Sequence, residues 1–204
     1  MIRARTRFGL GLALLSLPLA GCATEIEDPG SDTLTNIQGG APDTGDPAVG
    51  LLVFDDGGYC TGSLIASNVV LTAAHCVKKP IVGFYTTNGT VYATVKNEVQ
   101  STRKAGGYLD LWCPNPTHDV ALVRLKNPIK TIAPLAYGKS VPSTGTLCRV
   151  VGFGIHNTAT GVERKRKRAG TSEIRSVFAD TIKVEYETAV ADSGDSGGPL
   201  LCGG

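Results

Sequence analysis

Glycine and proline interrupt this chain so often that long regular elements have little room. Twenty-six glycines and eleven prolines fall among 204 residues, with short β-branched runs between them. Proline lacks the N–H that a helix interior needs, and glycine marks turns and weakens helices. The pattern predicts many brief strands joined by turns, hence an all-β fold. An apolar fraction of 42% supports a packed core rather than disorder, and the length suits one large domain or two small ones.

Charge excludes little. With 20 basic and 18 acidic residues the net charge is +2, too balanced to argue for nucleic acid or for acidic substrates. One run stands out, from Arg164 to Arg168, flanked by Glu163 and Ala169. It reads as a solvated loop, with an anionic partner or a processing site as alternatives.

The first residues read as an export signal. Arg3, Arg5 and Arg7 precede an uncharged, mostly apolar stretch of 13 residues from Phe8 to Ala20, too short to span a bilayer. Leu19-Ala20-Gly21-Cys22 resembles the bacterial lipobox, which gives residues 1–21 as a lipoprotein-type signal peptide, Cys22 as the lipidated residue and the membrane as a partner through that lipid. The alternative is ordinary cleavage near Ala23. Both readings export the protein, to a bacterial cell envelope or beyond it. Residues 22–36, polar and without apolar periodicity, read as a spacer or pro-segment.

Six cysteines accord with export to an oxidising compartment. Cys60 and Cys76 bracket the stretch that ends in Thr72-Ala73-Ala74-His75, so a bridge between them would fix the loop carrying His75. Zinc competes for cysteine and histidine, but no CxxC pair or HxxxH spacing occurs, and no metal is expected.

Three segments carry chemistry. In Gly194-Asp195-Ser196-Gly197-Gly198-Pro199-Leu200 a serine sits among glycines just before an apolar run. Such a turn can aim the N–H groups of Gly194 and Ser196 at one point, where a developing oxyanion would sit. The same residues satisfy G-x-S-x-G, so the motif alone does not choose a fold. Chain order does: an α/β-hydrolase places its histidine after the serine, yet none of the eight residues after Ser196 is histidine. A subtilisin order would use Asp55 or Asp56, but the helix-strand alternation of that fold is missing.

A serine hydroxyl needs a base, and imidazole suits that task near neutral pH. Of the three histidines, His75 follows Val69-Val70-Leu71-Thr72-Ala73-Ala74, a strand ending in small residues. His118 abuts Asp119, and neighbours on a strand point to opposite faces; His156 lies in a polar stretch. Asp119 opens the apolar run Val120-Ala121-Leu122-Val123, where a buried carboxylate needs a hydrogen-bonded partner such as an imidazole N–H. By itself Asp119 reads equally as a strand-start cap. Three such framings in the order His, Asp, Ser point to nucleophilic catalysis.

Together, Leu71-Thr72-Ala73-Ala74-His75-Cys76, Asp119-Val120-Ala121-Leu122 and Gly194-Asp195-Ser196-Gly197-Gly198-Pro199 resemble the chymotrypsin-like serine proteases of the trypsin superfamily, over about Ile37 to Cys202. The resemblance implies two antiparallel β-barrels over residues 37–204, the second incomplete because the family continues beyond this sequence. It implies a catalytic triad of His75, Asp119 and Ser196, an acyl-enzyme on Ser196, polypeptide substrates and no cofactor. It also implies disulfides Cys60–Cys76 and Cys148–Cys202, which leave Cys113 without a partner.

Ile37-Gln38-Gly39-Gly40 resembles the family's activated N-terminus, so cleavage by an activating protease before Ile37 would free an ammonium to pair with Asp195. Asn36 precedes that bond in place of the usual Arg or Lys, which disfavours a trypsin-like activator. Asp192 stands where many members carry a cysteine, and ungapped counting puts Val190 at the base of the specificity pocket, against a preference for Arg or Lys. The rival readings are a non-catalytic homologue that binds proteins, or an inactive fragment.

Overall fold

The computed structural model describes residues 40–108, 118–158, 161–179, 181–188 and 191–203. Cys22, Ile37, Cys113 and Val190 lie outside the described residues. Two antiparallel sheets account for almost all regular structure, so the all-β expectation holds.

Strand β1 (Ala41–Pro42) opens the described chain and belongs to the second sheet. The first sheet takes the next seven strands: β2 (Val49–Phe54), β3 (Tyr59–Ala66), β4 (Val69–Thr72), β5 (Ile81–Thr87), β6 (Ala93–Asn97), β7 (Val99–Lys104) and β8 (Ala121–Leu125). They lie in the order β6-β5-β2-β3-β4-β8-β7, every pair antiparallel. The remaining strands are β9 (Leu147–Gly152), β10 (His156–Thr158), β11 (Gly161–Glu163), β12 (Arg168–Val177), β13 (Ile182–Tyr186) and β14 (Leu200–Cys202). The second sheet runs β1-β12-β9-β14, with β13 also on β12, while β10 and β11 form a separate hairpin. Among the described residues the helical structure is a single 3-10 turn, His75–Val77.

Side-chain periodicity explains the sheets. In β8, Ala121, Val123 and Leu125 are buried while Leu122 and Arg124 face out, the alternation a half-buried strand requires. β2 is covered on both faces: Leu52 joins Leu64, Val70, Phe84, Val123 and Leu125 in the core of the first sheet. Val49 and Leu51 instead meet Val151 and Phe153 in a second cluster that joins the sheets. Each fully buried side chain of this kind contributes about 1.5–3 kcal/mol. An apolar groove lined by Leu135, Tyr137, Pro142, Ile182, Leu200 and Leu201 runs along β14, and its walls include none of His75, Asp119 and Ser196.

The basic run corrects one expectation. Arg164 is exposed, but Lys167 is wholly buried and Arg168 is 8% exposed, so the run is not a solvated loop throughout. Its second half is drawn in by acidic and carbonyl partners from the start of the domain. The Lys167 ammonium lies 3.4 Å from Asp43 Oδ2 and donates to the carbonyls of Gly45 and Asp46. Arg149 closes the cluster, with Nη2 2.8 Å from Asp43 Oδ1 and Nη1 2.5 Å from Asp46 Oδ2. Arg168 donates to the Gly40 carbonyl beside the pairing of β1 with β12. Burial pushes the Lys167 pKa down, and the neighbouring Asp43 carboxylate opposes that shift.

Candidate active site

Strand register brings the first two candidate residues together. β4 and β8 pair with Thr72 opposite Ala121, so the end of one strand lies beside the start of the other. Beyond Thr72 the chain passes through buried Ala73 and Ala74 into the turn that opens with His75, and Asp119 stands just ahead of β8. Small residues at 73 and 74 leave room for the ring.

His75 engages both oxygens of Asp119. Its Nδ1 lies 2.7 Å from Oδ2, and its backbone N–H donates to Oδ1 at 2.8 Å. A carboxylate only accepts, so the ring proton of neutral His75 sits on Nδ1 and Nε2 is left as an acceptor. The site is accessible, with side-chain exposures of 38% for His75 and 22% for Asp119. His118 is set apart by a left-handed backbone (φ 56°), and its ring is what a Cβ at Gly107 would meet, at 3.5 Å.

A disulfide joins Cys60 of β3 to Cys76, across 16 residues that include the whole of β4. Closing a loop of that length contributes about 3 kcal/mol in the chain-entropy account. The ligand atoms of Cys60, His75 and Cys76 lie within 4.8 Å of one another, but the two sulfurs are bonded to each other, which leaves no thiolate for zinc. A second disulfide joins Cys148 to Cys202, the paired ends of β9 and β14, and so anchors the strand that follows Ser196.

The loop carrying Ser196 is fastened to this framework. Thr61 of β3 donates its backbone N–H to the Ser196 carbonyl at 2.9 Å and its hydroxyl to the Gly194 carbonyl at 2.8 Å. Gly194 has φ +99°, a left-handed conformation that a side chain resists, and a Cβ there would stand 2.2 Å from the Tyr59 ring. Gly197 packs against Thr72 and Ala73, so the residue after Ser196 touches the segment leading to His75. The three segments that sequence separates widely therefore meet at one place.

Asp195 points the other way, into the protein. It is 7% exposed, and its carboxylate accepts N–H groups from Gly154 at 2.7 Å and from Asp192 at 3.0 Å. Any Cβ at Gly152 or Gly154 would fall 2.0 or 2.2 Å from a carboxylate oxygen, so this approach needs glycine at both positions. Burial raises the carboxyl pKa to about 6 despite those two hydrogen bonds. Among the described residues no cation pairs with it.

Sequence reasoning missed Thr61, Gly152 and Gly154. Thr61 carries no signal beyond its place beside Cys60. The glycines were visible as Val150-Val151-Gly152-Phe153-Gly154, two breaks after an apolar run.

The family described as Trypsin matches residues 37–204. This chain belongs to the trypsin family. Among relatives, snake venom serine protease HS112 of Bothrops jararaca is 31% identical over 176 residues, covering 74% of this chain and 66% of that protein. Thrombin-like enzyme AhV_TL-I of Gloydius halys is 33% identical over 172 residues, covering 72% of this chain and 70% of its own. The chain thus spans about two thirds of the length of the curated relatives it matches.

Solved structures place the trypsin-family fold on the same footing. Neuropsin, a serine protease expressed in the limbic system of mouse brain, superposes with a TM-score of 0.68 at 22% identity, covering 81% of this chain and 82% of its own. The scabies mite inactivated protease paralogue S-D1 gives 0.65 at 19% identity, covering 81% of each chain. At these identities the likeness shows the fold alone, the double antiparallel β-barrel of the chymotrypsin type.

Proposed function

We propose that this trypsin-family chain is a serine endopeptidase that cleaves polypeptides through an acyl-enzyme on Ser196. The observation that carries the reading is the double engagement of Asp119 by His75, which fixes the imidazole tautomer and leaves Nε2 to take the Ser196 proton. In the first step the Ser196 oxygen bonds to the scissile carbonyl carbon, its proton passes to Nε2, and the carbonyl π electrons move onto oxygen. Collapse of that intermediate expels the amine, which leaves with the proton from Nε2. Water then repeats the sequence on the ester, releasing the carboxylic acid and restoring the hydroxyl. Asp119 steadies the imidazolium without accepting its proton. The N–H groups of Gly194 and Ser196 serve the oxyanion, each such donor contributing about 3–4 kcal/mol.

Export is part of the same reading. Two disulfides in a small domain suit an oxidising compartment, and the Cys22 lipobox offers a membrane tether. Cleavage before Ile37 by an activating protease would supply a cation to the buried Asp195 carboxylate, which pairs with none among the described residues. Because Cys22 lies ahead of that cut, the same cleavage frees the enzyme from its anchor.

A fluorophosphonate probe tests the central claim. Labelling of the full chain that Ser196→Ala abolishes is the expected result. Absence of labelling in a folded chain with a free Ile37 amine would overturn the endopeptidase reading in favour of a protein-binding homologue.

A further inference from the structure

The first half of the basic run lies beside the Ser196 loop. Lys165 holds its ammonium 5.3 Å from the centre of the Tyr59 ring and 3.4 Å from the Gly57 carbonyl. Tyr59 in turn packs against Gly194, the residue whose N–H faces the developing oxyanion in the proposed mechanism. Arg164, one residue earlier, is exposed, and no carboxylate pairs with Arg164 or Lys165 among the described residues. Burial raises the Tyr59 phenol pKa, and the charge of Arg164 is near enough to oppose that rise.

These cations are held in place. Arg166 bridges to Tyr92, Lys167 N–H donates to the Val91 carbonyl at 2.7 Å, and the Lys167 side chain is locked among Asp43, Asp46 and Thr87. Lys165 itself sits at φ 59°, a conformation costly for a residue with a Cβ, just ahead of the two residues that are held in this way. Two carboxylates act on the same ring: Asp195 is buried on two N–H groups, and Asp192 accepts the N–H of Ser193 while keeping its charge. Among the described residues neither Arg164 nor Lys165 forms an ion pair with these carboxylates.

We propose that Arg164 and Lys165 form a cationic subsite beside the Ser196 loop, selecting substrates with aspartate or glutamate within three residues of the scissile bond. Both contacts run through one ring, since Lys165 lies over Tyr59 and Tyr59 packs on Gly194, which places the cations within a few residues of extended chain from the scissile bond. The proposal rests on the endopeptidase reading and adds the class of side chain that the site prefers.

Internally quenched peptides that differ only in Asp, Ala or Lys at each of the three positions on either side of the cleaved bond provide the test. With the full chain freed at Ile37, one position is expected to show kcat/KM about two- to fivefold higher for Asp than for Ala. Because the pair is partly solvated, 0.5 M salt shrinks that ratio. Arg164→Ala with Lys165→Asn, the latter tolerant of the left-handed backbone, brings the ratio close to one, and Arg164→Glu turns it toward Lys. Fluorophosphonate labelling and cleavage with no acidic preference, or with a preference that these variants leave intact, overturns the subsite alone. Neither labelling nor cleavage of any peptide overturns the endopeptidase reading, and the subsite falls with it.

Discussion

Asp119 gives one carboxylate oxygen to the ring of His75 and the other to its backbone, at 2.7 and 2.8 Å. The two contacts do different work. The backbone bond fixes where the 3-10 turn begins, and the ring bond fixes which nitrogen carries the proton. Tautomer and position are thus set by one side chain at the mouth of β8.

Replacing Asp119 with asparagine separates the two roles. The amide keeps an oxygen for the backbone N–H, but its NH2 group then faces Nδ1 and favours the tautomer with the proton on Nε2, where it blocks base action. We expect Asp119→Asn to lower kcat about 10⁴-fold with little change in KM. Urea unfolding should change by less than about 1 kcal/mol. A variant with kcat within tenfold of the parent would show that the ring finds its tautomer without this carboxylate.

The buried Asp195 carboxyl predicts a pH signature of the chain before the proposed cut. Its folded pKa is about 6 against 3.8 for the free side chain, so the folded state binds more protons between those values. Unfolding free energy therefore falls as pH rises from about 4 to about 6, by up to about 3 kcal/mol, and stays lower above that range. Asp195→Asn should lack this component, seen as a flatter difference curve in urea titrations at each pH. In the proposed form cut before Ile37, an ammonium paired with Asp195 would lower this pKa and remove the loss. Identical pH curves for the precursor and Asp195→Asn would mean that the carboxyl titrates normally.

What sequence could show here depended on range. Glycine and proline spacing announced the short strands, and the apolar run after Asp119 became β8, although which of its apolar residues face out, Leu122 among them, was not legible in the run itself. The segments around His75, Asp119 and Ser196 were recognisable because each frames its residue locally. The basic run was misread for the opposite reason. Five charges in a row look solvated unless their partners are known, and Asp43, Asp46 and the Gly40 carbonyl come from the far end of the domain. Thr61 escaped notice similarly: its two bonds to the Ser196 loop exist only because β3 passes beneath it. Local pattern encodes apolar runs and turns, whereas long-range polar satisfaction becomes visible only when the strands are in register.

The Lys167 cluster yields an ordering of stabilities that a simple count of ion pairs would not. Asp43 serves two cations, Lys167 and Arg149, and Arg149 keeps Asp46 as a second partner. Asp43→Ala therefore leaves the wholly buried Lys167 ammonium with carbonyl and hydroxyl contacts and no carboxylate paired to it beyond the weaker influence of Asp46, and breaking a buried pair in this way costs about 3–5 kcal/mol. Lys167→Met removes the buried charge itself and leaves Asp43 still bonded to Arg149, so it should cost less, about 1–3 kcal/mol. Because β1 is pinned beside this cluster through Arg168 and the Gly40 carbonyl, both losses should loosen the segment that follows Ile37 before they unfold the sheet. Hydrogen exchange at Ala41 and Asp43, set against urea midpoints, measures the two effects separately. Equal costs for the two substitutions would mean that the Lys167 ammonium gains nothing from Asp43 beyond what the surrounding carbonyls already supply.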